Sequence, residues 1–180
     1  MLEIGWYILR KEVKAIEQAF STYVGVIHAV WRGENGTDAL ELALRACGVR
    51  LGDLVFTVSH TAVATVTAIE LVGATPVLVD IDPITYTLDP NSFETALARS
   101  PAGTPKAVIP VYLYGRPADM PAILKLARRH GMHVIEDCAQ SHGATLSDRM
   151  TDSWGNMAAF CFYPTKNLAA MGDEGHGCNQ

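Results

Sequence analysis

The feature that most constrains this chain is a regular alternation of short apolar runs with segments of helical spacing. Leu54–Val58, Pro76–Asp80, Lys106–Tyr112 and His133–Glu136 read as strands, with Ile27–Val30 and Phe160–Phe162 as shorter ones. Lys11–Tyr23, Ala39–Cys47, His60–Leu71, Asp89–Ala98 and Met120–His130 read as helices, the first with Val13, Ile16, Ala19, Phe20 and Tyr23 on one face. Gly48 and Gly131 close helices, Pro90 opens one, and Gly73 turns the chain into a strand. Pro110 interrupts the Lys106–Tyr112 run, and Gly5–Leu9 is a short apolar opening. Strands alternating with helices of about ten residues imply right-handed crossovers. The fold class is therefore α/β: a mostly parallel sheet flanked by helices on both faces.

Composition narrows the function classes. With 180 residues, 49% apolar and 18% charged, the chain suits one ordinary globular domain. The net charge of −5 includes no basic block, so nothing argues for nucleic acid. No apolar run reaches the length of a membrane span. Cys47, Cys138, Cys161 and Cys178 are scattered without metal-type spacing, which fits a cytoplasmic enzyme with reduced thiols.

In open α/β sheets, ligands bind beyond the carboxyl ends of the strands. His60, Asp137, Gln140 and Lys166 all fall at or just past such ends. Lys166 follows Phe160-Cys161-Phe162-Tyr163-Pro164-Thr165, where a strand should finish, and Asp137 follows Val134-Ile135-Glu136 in the same way. An acid to hold a pyridinium nitrogen and a lysine to form an imine are the protein groups that pyridoxal 5'-phosphate requires. Gly33-Glu34-Asn35-Gly36-Thr37-Asp38 turns straight into a helix. Such a turn offers unpaired N–H groups to a phosphate. The plainer alternative is that Thr37 or Asp38 caps the helix.

Several motifs, in order, carry a specific likeness. They are Gly36-Thr37-Asp38-Ala39-Leu40, the run Gly73–Asp82, Val111–Met120, Glu136–Gly143 and Phe162–Leu168. Together they resemble the DegT/DnrJ/EryC1/StrS family of nucleotide-sugar aminotransferases, from about Gly5 to about Gly175. The resemblance implies the large domain of the fold-type I pyridoxal phosphate enzymes. It also implies transfer of an amino group from an amino acid, usually glutamate, to a nucleotide-linked keto-deoxysugar. By that likeness Lys166 forms the imine and shuttles the proton, and Asp137 pairs with the pyridinium nitrogen. Gln140 reaches the ring hydroxyl or lies against the ring, and Gly36 and Thr37 hold the phosphate. His142 either contacts substrate or is hydrogen-bonded near the core, and His60 satisfies local backbone.

The chain also departs from that pattern. Ala62 stands where the family places an aromatic to stack on the cofactor, and Cys161 where it places a phosphate-binding serine. A thiol is the poorer partner. Trp31–Glu34 is a bulkier approach to the phosphate turn, and Gly175–Cys178 diverges from the apolar strand expected there. The chain reads as a truncated large domain over residues 1–180, with the C-terminal small domain absent. Lost sheet strands would expose an edge and favour association. The complete protein would act as a homodimer whose active sites are finished across the interface. The alternative is a catalytically inactive homologue serving at most as a binding or dimerisation partner.

Overall fold

The strands are β1 (His28–Gly33), β2 (Asp53–Val58), β3 (Thr75–Val79), β4 (Thr104–Ile109), β5 (His133–Asp137), β6 (Thr145–Leu146), β7 (Arg149–Met150), β8 (Met157–Cys161) and β9 (Gly175–Asn179). The helices are α1 (Lys11–Val24), α2 (Gly36–Ala46), α3 (Val63–Leu71), α4 (Pro90–Ala98) and α5 (Met120–Arg129). This computed structural model describes residues 11–33, 35–170 and 175–179. The apolar opening Gly5–Leu9 and Glu34 lie outside them, as do the side chains of Trp31 and Arg32.

One seven-stranded sheet has the order β1-β9-β8-β5-β4-β2-β3. From β3 to β8 every pairing is parallel, whereas β9 lies antiparallel between β8 and β1. The predicted mostly parallel α/β sheet is what forms. Helices α2 and α3 pack together, as do α4 and α5. Strand order reverses after β3, and right-handed crossovers then put the two pairs on opposite faces. β2 is buried along its whole length, which explains why Leu54-Val55-Phe56-Thr57-Val58 shows no alternation of apolar and exposed polar residues.

Several boundaries differ from the sequence reading for local reasons. α2 starts at Gly36 rather than Ala39, because the Asn35 side chain caps it, accepting from the N–H groups of Thr37 and Asp38 at 2.8 and 3.1 Å. Neither Thr37 nor Asp38 is the cap. α3 starts at Val63 rather than His60, with Ala62 at its N-cap and no side-chain cap bond. β4 stops before Pro110, and β8 begins at Met157 and ends before Phe162. The largest difference is Gly175–Asn179, which forms a strand with Cys178 as its one core side chain among the described residues. Its ladder is made by backbone groups with partners on both sides, and the space over Gly177 is open to 4.0 Å.

The apolar core is interrupted by one saturated carboxylate. Glu136 has no exposed surface, and each of its oxygens accepts two hydrogen bonds. Tyr112 Oη–H and Asp152 N–H donate to Oε2 at 2.6 and 2.8 Å. Trp154 and Gly155 N–H donate to Oε1 at 2.7 and 2.6 Å. Four donors compensate the burial of an acid and tie the loop before β8 to β5.

Candidate active site

Tyr163-Pro164-Thr165-Lys166 forms a β-turn closed by Lys166 N–H donating to the Tyr163 carbonyl at 2.8 Å. Proline at its second position presets the backbone, and the turn places Lys166 just beyond the end of β8. The N-terminus of α2 arrives at the same place. A Cβ on Gly36 would lie 2.8 Å from Cys161 Cβ and 3.2 Å from its Sγ, so only glycine allows this approach of helix to strand end.

Asp137 ends β5 and is buried. Its Oδ2 accepts from the Thr65 hydroxyl at 2.9 Å and its Oδ1 from Ala139 N–H at 3.2 Å. Burial pushes this carboxyl above its ordinary range, while the Ala139 N–H, the Thr65 hydroxyl and the nearby Lys166 charge pull it down.

Gly36, Thr37, Asp137, Cys161 and Lys166 line one cavity of about 160 Å³, with Ala62 at its wall. A buried carboxylate, an amine and a helix N-terminus thus border one space. Gln140 does not line it. Its Oε1 accepts from Tyr114 N–H at 2.8 Å, and with His142 it borders a second cavity of about 540 Å³ that also reaches Lys166. Lys166 is common to both cavities.

His142 is half-buried, with its ring centroid 5.1 Å from Phe160 and 5.0 Å from Phe162. Both ring nitrogens are enclosed without a hydrogen-bond partner. Burial first, then the Lys166 charge, lowers its pKa to about 4, so the imidazole is neutral at pH 7. His60 is exposed, and its Nε2 lies 3.5 Å from the Tyr114 hydroxyl.

These residues suit a flat, anionic, carbonyl-bearing cofactor. The carboxylate fits a protonated ring nitrogen, the amine a carbonyl carbon, and the glycine cradle at α2 a phosphate. The profile of the DegT/DnrJ/EryC1/StrS aminotransferase family matches residues 1–176. The chain belongs to that family. A dTDP-3-amino-3,4,6-trideoxy-alpha-D-glucose transaminase of Streptomyces venezuelae is 46% identical over 178 residues, 97% of this chain and 45% of that protein. A DegT/DnrJ/EryC1/StrS aminotransferase from Brucella abortus superposes with a TM-score of 0.93 at 39% identity, over 99% of this chain and 48% of the other. A sugar aminotransferase from Streptococcus pneumoniae, solved in a PLP form, superposes with a TM-score of 0.89 at 28% identity, over 99% of this chain and 48% of the other. The chain spans about half the length of the curated relatives it matches.

Within this family member, the sequence did not point to Thr65, Thr61 or Asn35. Thr65 lies 72 residues from Asp137 in the chain, and a threonine early in a helix carries no signal of its own. Asn35 adjoins Gly36 at the start of α2, and N-cap preference could have singled it out. Among the described residues no helix is long and apolar enough to cross a membrane.

Proposed function

We propose that the protein is a pyridoxal 5'-phosphate-dependent aminotransferase that moves an amino group from an amino acid, glutamate, to a nucleotide-linked keto-deoxysugar. The observation that carries this reading is the single cavity bordered by Lys166, Asp137 and the N-terminus of α2. When bound, pyridoxal phosphate supplies a carbonyl carbon for condensation with amines and an electron-accepting ring. Asp137 would hold the ring nitrogen in its cationic form. Gly36 and Thr37 would hold the phosphate, with Cys161 beside them. Lys166 would anchor the cofactor and move the proton at the substrate carbon. Gln140, tied to Tyr114, would border the ring hydroxyl side from the adjoining cavity.

In this proposal the chain supplies the large domain. The remaining length of its relatives corresponds to the rest of that domain and a small domain, and the complete protein works as a cytoplasmic homodimer. A second reading, a non-catalytic binding or dimerisation partner, is favoured by Ala62 and Cys161 in the cavity wall.

Borohydride reduction after incubation with pyridoxal phosphate, followed by peptide mass mapping, separates the two. The expected result is one pyridoxyl group on the Lys166 peptide and none in Lys166→Ala. Label scattered over surface lysines, or its persistence in Lys166→Ala, would overturn the catalytic reading.

A further inference from the structure

The Asp137 carboxylate is the inner end of a chain of hydrogen bonds that starts on another element. Thr65 Oγ1 donates to Asp137 Oδ2 at 2.9 Å and lies 2.9 Å from Thr61 Oγ1. Thr65, in the first turn of α3, has no exposed surface, whereas Thr61, just before that helix, is half-buried. Two hydroxyls therefore join a buried carboxylate to the edge of the protein.

The direction of these bonds is set by chemistry. An ionised carboxylate can only accept, so Thr65 must give it its one proton. The Thr65 oxygen is then free to accept, and Thr61 is the donor it meets. On the opposite carboxylate oxygen, Ala139 N–H is the donor. The titratable group acting on Asp137 is Lys166, from the turn after β8.

We propose that Thr61 and Thr65 are positioning residues of the active site, a two-hydroxyl relay that holds the Asp137 carboxylate as an anion aimed into the cavity. This rests on the reading that Asp137 meets the ring nitrogen of pyridoxal phosphate. The choice of donor matters. A lysine or arginine in this place would neutralise the carboxylate, and the cationic ring nitrogen would meet a spent charge. Hydroxyls stabilise the anion against burial and leave its net charge intact. Each carboxylate oxygen keeps a lone pair for the nitrogen.

The test needs no turnover. Carbon-13 NMR of carboxyl-labelled aspartate in the cofactor-free chain, with Asp137→Asn identifying the resonance, gives the Asp137 titration midpoint. Thr65→Val, which removes the hydroxyl but keeps the shape, should raise that midpoint by about one pH unit or more. Thr61→Val should raise it less, and Thr65→Ser should return it close to wild type. An unchanged midpoint in Thr65→Val, or an equal rise in Thr65→Ser, overturns the relay. If Thr65→Val does not fold, the half-buried Thr61→Val decides: a rise supports the relay and no rise overturns it.

Pyridoxal phosphate affinity of the folded variants then separates this inference from the functional reading. A loss of about three- to tenfold, parallel to the midpoint, supports both. A raised midpoint with unchanged affinity keeps the relay and overturns the pairing of Asp137 with the cofactor.

Discussion

Glu136 and Asp137 are consecutive in β5, yet their carboxylates lie on opposite faces of the sheet and meet different surroundings. Glu136 is closed off by four donors from Tyr112 and the loop before β8. Asp137 faces α3 and a cavity, with two donors and room for another. Strand alternation is the cause.

That division predicts opposite mutational profiles. Glu136→Gln should cost about 2–3 kcal/mol of stability, because an amide nitrogen replaces an acceptor facing N–H groups. Tyr112→Phe should cost about 1–2 kcal/mol. Asp137→Asn should change stability little and weaken pyridoxal phosphate binding at least tenfold. Urea unfolding and cofactor titration of the three variants check this; a large stability loss in Asp137→Asn would contradict the division.

Asp152 is a strained position. It is 2% exposed, has φ of 78°, and neither carboxylate oxygen has a partner. Burial and the neighbouring Glu136 raise its pKa to about 9. The folded state thus binds a proton that the unfolded chain, with an aspartate near 3.9, has released. Stability from this group is greatest below pH 4 and falls as the pH rises toward 9. Asp152→Gly removes both the acid and the backbone strain. It should raise stability at pH 8 by roughly 2–4 kcal/mol and flatten the fall in melting temperature between pH 5 and pH 8. Melting curves across that range would show an unchanged slope if Asp152 were not the source.

Gly36 tests the close approach of α2 to β8. Alanine in a helix is ordinarily favoured over glycine by about 1 kcal/mol. Here its Cβ would sit 2.8 Å from Cys161 Cβ, so Gly36→Ala should instead destabilise by about 1–3 kcal/mol. A gain in stability on chemical unfolding would mean that the helix start can retreat from the strand end.

Ala62 and Cys161 line the cavity, and substitutions there test the proposed cofactor site. Ala62→Phe adds a ring at the wall, and a stacked pair contributes about 0.5–1.5 kcal/mol, or roughly two- to tenfold in affinity. Cys161→Ser exchanges a weak partner for a hydroxyl and should add a similar factor. Equilibrium titration with pyridoxal phosphate reads both, and no gain in either would place the phosphate and ring elsewhere.

Local chemistry was legible from residue order. Apolar runs bounded by glycine and proline located β2, β3 and the helices α1, α4 and α5, since these depend on neighbours a few residues apart. Tyr163-Pro164-Thr165-Lys166 contained its own turn, and the glycine turn ahead of Ala39 announced a helix, whose start lies at Gly36. The departure of Gly175–Cys178 from an apolar strand pattern does not prevent β9, because its ladder is backbone bonding supplied by β1 and β8.

The sequence by itself determined the alternation of strands with helices, the mostly parallel class of the sheet, and that Asp137 and Lys166 fall at or just past strand ends. Periodicity and turn chemistry are local, so a linear reading captures them. Only the tertiary structure decided that Glu136 is closed off by four donors, that Thr65 serves Asp137 across 72 residues, and that Gln140 is tied to Tyr114. Those outcomes depend on strand register and crossover hand, which bring distant segments into contact through a shared sheet.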